Sequence, residues 1–194
     1  MSDEIYVKLR EFLDTLPGGF PESNSGVEMR ILEKLFSPED AKLVLCLSME
    51  PESPAVIADR RGMPEPEIAD QLESMALRGL AFRVNREGEK LYQVEQFFPG
   101  MYEHHVESMD REFAEMMEEY MLDMGLAQGG NETEQQRVVP VASTIEVTSE
   151  VAPCDQVREL IKGKETIAVA PCICRTQQAT LGNECDRPWD ACMY

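Results

Sequence analysis

Apolar residues recur at helical spacing from the start of the chain. Ile5, Leu9, Phe12 and Leu16 form one stripe, closed by Pro17-Gly18-Gly19, and Val27, Ile31, Leu32, Leu35 and Phe36 form a second. Side chains three and four residues apart share a helix face, so each stripe predicts a short amphipathic helix. Ser37-Pro38-Glu39-Asp40 opens a third helix, to about Met49, presenting Ala41, Val44, Leu45 and Leu47. A cap serine, a proline at the first helical position and acids in the first turn all serve the free N–H groups there. Ser53-Pro54 repeats that start and Arg60-Arg61-Gly62 ends it; a further helix from near Pro64 buries Ile68, Leu72, Met75 and Leu80.

After Gly79 the pattern changes to alternation. Phe82 and Val84, the turn-like NREGEK, then Tyr92 and Val94 predict two strands joined as a hairpin. Short helices followed by a hairpin give the order of a winged helix-turn-helix, placed at residues 1–100. In residues 101–126, Tyr102, Val106, Met109, Phe113, Met116 and Tyr120 recur as a seam. The seam predicts one helix of about 24 residues, about 36 Å long. Two destinations are open to it: the chain's own winged helix, or a second copy in a homodimer. Glu103, Glu107, Asp110, Glu112, Glu115, Glu118, Glu119 and Asp123 read as its solvated face.

Polar, aperiodic AQGGNETEQQ marks a linker at 127–137. In residues 138–194, Val139, Val141, Ile145 and Val147 alternate as a strand, a short helix is expected from about Cys154 to Lys162, and TIAVA from Thr166 reads as a strand buried on both faces. The expected fold class is α+β: a winged helix-turn-helix, a long helix, then a small α/β unit carrying a cysteine-rich loop.

Composition narrows the function. The longest apolar runs fall far short of the roughly 20 residues that span a bilayer, and the acidic start MSDEIYVKLREF is no secretory signal. The expectation is a cytoplasmic, non-membrane protein, whose clustered thiols stay reduced and serve as ligands rather than bridges. Eighteen Lys and Arg against 37 Asp and Glu give a net charge of −19, which repels nucleic acid. The would-be recognition helix carries Glu65, Glu67, Asp70 and Glu73 against Arg78 alone; Arg60, Arg61, Arg83, Arg86 and Lys90 are the available phosphate contacts. The module therefore reads as a protein-interaction scaffold.

Six cysteines remain to be placed. Cys172, Cys174, Cys185 and Cys192 follow a CxC-x10-C-x6-C pattern, four soft anionic ligands that complete one site. Structural zinc sites use pairs two to four residues apart, so the irregular spacing favours a larger iron–sulfur cluster, with zinc as the alternative. Arg175 beside them is a candidate donor to cluster sulfur, against an ordinary surface ion pair. Cys46 reads as a core residue, Cys154 as structural, and His104-His105 as solvent-facing. Enzymatic turnover has little support: there is no phosphate-binding glycine loop and no nucleophile–base arrangement.

LPGGFPESNSGVEMRILEKLFSPEDA, FFPGMYEHH, the CICR stretch and LGNECDRPWDAC resemble the N-terminal part of prokaryotic 4Fe-4S ferredoxin-domain proteins. The resemblance runs over nearly the whole chain and is most specific in the last motif. It implies iron–sulfur binding and electron transfer to a protein redox partner. That family continues into further ferredoxin-type cysteine motifs, which do not occur before Tyr194, so the chain is expected to be a piece of such a protein. From another class, a winged-helix transcriptional regulator governed by a metal or redox state is the alternative.

Overall fold

A computed structural model describes residues 2–127, 159 and 161–189. It is α+β: helices dominate and the sheet has two antiparallel strands. Helix α1 (Ser2–Asp14) buries Tyr6, Leu9 and Leu13, with Leu16 just beyond its end; the Tyr6 hydroxyl donates to the Phe36 carbonyl (2.8 Å). Helix α2 (Val27–Leu35) buries Val27, Ile31 and Leu32 against α1 and a later helix.

Helix α3 (Pro38–Val44) starts on a reciprocal cap: Asp40 N–H donates to Ser37 Oγ (3.2 Å), and Ser37 N–H to Asp40 Oδ2 (3.2 Å). It stops short of Met49 as the chain tightens into turns through Leu47. Helices α4 (Pro54–Arg61) and α5 (Glu65–Leu77) follow, then strands β1 (Ala81–Arg86) and β2 (Glu89–Val94), paired Ala81 to Val94 through Arg86 to Glu89. Glu87 and Gly88 both take positive φ at the turn, which matches strand twist in a two-residue hairpin. Glu52 adds a bridge on the open edge of β2, exchanging backbone bonds with Tyr92 (2.9 and 2.8 Å).

Asp40 ties this unit together. Its buried carboxylate receives Arg78 at both oxygens (3.0 and 3.1 Å) and Gln71 (3.3 Å), locking α3 to α5. Burial alone would push its pKa up, but the bonds from Arg78, Ser37 and Gln71 outweigh that and hold it below the ordinary value.

The expected 24-residue helix is broken. A single turn α6 (Tyr102–His104) and a 3-10 turn (Val106–Ser108) precede the 17-residue helix α7 (Arg111–Ala127). Asp110 causes the restart, its Oδ1 capping the Phe113 N–H (2.7 Å), because a short side chain that bonds its own backbone competes with the helical ladder. The seam packs inward. Tyr102, Phe113, Met116 and Tyr120 join the core of the same chain, and Tyr120 meets Phe20 at a 5.0 Å ring separation.

The linker 127–137 beyond Ala127, the strand at 139–147 and most of the Cys154–Lys162 helix lie outside the described residues. TIAVA is not a buried strand: 166–170 form no ladder, and Ile167 and Val169 are 58% and 70% exposed. A strand needs a neighbour to bond and cover it, and among the described residues none pairs with this segment. Among the described residues no helix is long and apolar enough to cross a membrane.

Candidate metal centre

Helix α8 (Ile173–Thr180) carries the CxC pair. Cys172 is its N-cap, with extended backbone angles, and its carbonyl accepts from Thr176 N–H (2.9 Å) and Thr176 Oγ1 (3.0 Å). Gly182, at φ 91°, ends the helix where Leu181, Gly182 and Asn183 N–H bond back to Gln177, Ala179 and Gln178 carbonyls. A residue with a side chain is strained in that left-handed conformation, so glycine suits the turn. Cys174 lies in the first turn.

Eight residues are too few to hold a helix in water alone, so docking must supply its order. Ile173 and Gln177, one turn apart on one face, are both buried against the body. Gln177 is held from two sides: the Tyr102 hydroxyl donates to its Oε1 (2.5 Å), and its Nε2 donates to Glu118 Oε2 (2.9 Å). Gln178 Nε2 reaches the same Glu118 oxygen (2.8 Å). Burial foremost, then the nearby Cys174, Glu103, Cys172 and Glu118, push the Tyr102 pKa well above the ordinary tyrosine range. The thiol pair thus sits close to the buried clasp that seats its helix.

The loop beyond α8 returns to its start. Cys172 N–H donates to the Trp189 carbonyl (2.8 Å), which closes the chain from 172 to 189 into a ring. Cys185 lies exposed along it, its sulfur accepting from Arg187 N–H (3.4 Å). Arg175 is half-buried, and its Nη1 is buried with no hydrogen-bond partner among the described residues. A buried N–H left unpaired costs about 1–3 kcal/mol.

The four predicted cysteines are not all brought together. Cys172 and Cys174 share one helix end, Cys192 lies outside the described residues, and no group of three His, Cys, Asp or Glu able to hold a metal ion forms among the described residues. Cys154 also lies outside them. Cys46 is partly buried against the core, with its thiol on the Lys42 carbonyl (3.5 Å). His104 is 42% exposed at the side chain, 3.5 Å from Glu95. His105 is not solvent-facing: it is buried against Phe113, donates from Nδ1 to the Met101 carbonyl (2.6 Å), and burial lowers its pKa.

Most of the candidate phosphate contacts are engaged. Arg60 binds Glu52 (2.5 Å), Arg61 binds Glu39 (3.3 Å), and Arg83 and Lys90 converge on Glu73 (2.5 and 3.1 Å), which also accepts from the Tyr92 hydroxyl (2.7 Å). The outward face of α5 exposes Glu65, Glu67 and Asp70.

In the sequence Gln177 belongs to no motif, Glu118 reads as part of a solvated face and Tyr102 as a seam position. The usable signal was Gln177 one helical turn after Ile173, a polar residue on the apolar side of a cysteine-bearing helix. No family model, curated protein or solved structure matches the chain.

Proposed function

We propose that the chain binds an iron–sulfur cluster of the 4Fe-4S type through Cys172, Cys174, Cys185 and Cys192 and passes electrons to a protein partner, with the N-terminal domain, a winged helix-turn-helix, serving as the interaction scaffold. The observation that carries this is the backbone bond from Cys172 to Trp189. It anchors the chain three residues before Cys192, and three residues span at most about 11 Å, so chain length permits the last thiol to approach the first two. Cys185 lies exposed inside the same ring.

The donor set fits such a guest. Thiolates are soft anionic ligands, and a cluster bound by four of them is a net anion that accepts hydrogen bonds at sulfur. The unpartnered Arg175 Nη1 offers such a donor beside the CxC pair. When bound, the cluster supplies one-electron chemistry; the protein supplies ligands, charge compensation and partial burial on α8. Zinc is the competing guest, and it asks for closely spaced pairs that this sequence lacks beyond the CxC.

A DNA-reading role draws less support, because Arg60, Arg61, Arg83 and Lys90 already neutralise carboxylates of the same chain. The direct test is anaerobic purification with iron, acid-labile sulfide and zinc determination. Iron and sulfide in equal amounts, lost on Cys172→Ser or Cys192→Ser, are expected. Zinc in place of iron, or iron indifferent to these substitutions, would overturn the proposal.

A further inference from the structure

The clasp behind the thiol pair joins three parts of the chain: Tyr102 from the broken segment, Glu118 from α7, and Gln177 from the cysteine helix. Gln177 stands three residues after Cys174 and four after Ile173, on a two-turn helix too short to flex internally. Whatever fixes the thiols therefore also fixes Gln177, and whatever seats Gln177 also aims the thiols. Both Tyr102 and Gln177 are 2% exposed, so water does not substitute for the bond between them. Phe98 backs the tyrosine ring at 5.2 Å, holding the hydroxyl toward α8.

Resting on the reading of Cys172 and Cys174 as ligands, we propose that Tyr102, Gln177 and Glu118 form a coupling clasp, through which occupation of the thiolate site stabilises the helical body and docking on that body tightens the site. Linkage makes the two effects one quantity: the factor by which a guest favours the docked state is the factor by which docking favours the guest. The clasp makes the N-terminal domain responsive to whether the cysteines are occupied. Tyr102 and Glu118 are assigned as positioning residues, acting on the thiols through Gln177.

Cobalt(II), whose thiolate complexes absorb through ligand-to-metal charge transfer, is a suitable probe with the full chain kept reduced and anaerobic. Cobalt is titrated into wild type, Tyr102→Phe, Glu118→Leu and the control Ile57→Val, a conservative change in the core at α4. Helix melting is followed with and without the metal. Wild type should melt higher with cobalt. Tyr102→Phe and Glu118→Leu, each of which removes its partner of Gln177, should each bind cobalt about fivefold more weakly, the worth of one hydrogen bond, and lose at least half of the metal-induced rise. Ile57→Val should melt lower without metal yet keep the full rise, which separates coupling from general destabilisation. Wild-type affinity and an undiminished rise in both clasp variants would overturn the clasp while leaving the ligands intact. Cobalt absorption absent from wild type, or unchanged in Cys172→Ser/Cys174→Ser, would instead remove the ligand reading and the clasp with it.

Discussion

Replacing Arg175 with methionine should stabilise the metal-free protein and destabilise the loaded one. The buried Nη1 of Arg175 has no partner among the described residues. Leaving a buried donor unpaired costs about 1–3 kcal/mol; the side chain is only half-buried and its other donors can hydrate, so the low end, about 1 kcal/mol, applies. Methionine keeps an unbranched apolar stem in the same space and carries no donor. The metal-free melting midpoint should rise by roughly 2–4 °C on the usual scaling for a chain of this size. With a cluster in place the sign reverses, because a charge-assisted bond worth about 1.5–3 kcal/mol is lost. The assay is thermal melting of both variants before and after anaerobic iron and sulfide reconstitution, with iron retention measured after gel filtration. A metal-free midpoint that falls would mean that the guanidinium already has a structural role. Equal rises in both states would mean that Arg175 does not serve the guest.

Asp40→Asn should cost about 2 kcal/mol at neutral pH, the lower half of the range for charged hydrogen bonds because Arg78 is itself 43% exposed. The folded-state pKa of Asp40 is depressed below 3.8, so its contribution is full above that value and is lost as pH falls through the folded pKa; denaturant melts of the two proteins should converge in strong acid and stay apart at pH 7. Ile167→Ser with Val169→Ser should change stability by no more than about 0.5 kcal/mol, since both side chains are exposed; a loss of several kcal/mol in urea unfolding would restore the buried-strand expectation. Wild type should pass unretained over immobilised duplex DNA at low salt, whereas Glu73→Gln, which releases Arg83 and Lys90, should be retained and elute as salt rises; wild-type retention would favour the regulator alternative.

What could be read from the sequence is what neighbouring residues decide among themselves. The Ser37–Asp40 cap lies within four residues, the Glu87-Gly88 turn within two, and the stripes of α2 and α5 within two or three helical turns, so residue chemistry alone specified them. The CxC spacing was likewise visible as ligand chemistry, although spacing cannot say how closely distant sulfurs approach. Tertiary structure decided everything that depends on what stands opposite. The seam of residues 102–120 was equally suited to its own body or to a second copy until the core closed over it. His105 looked polar and outward until Phe113 and the Met101 carbonyl enclosed it. TIAVA had the composition of a buried strand and, among the described residues, no strand to pair with. The clasp links Tyr102 to Gln177 across 75 residues and Gln177 to Glu118 across 59, distances at which no local periodicity carries information. Covalent neighbours set helices, caps and turns; burial and long-range hydrogen bonds, which exist only once the chain has folded, chose which faces meet and where the cysteine helix is seated.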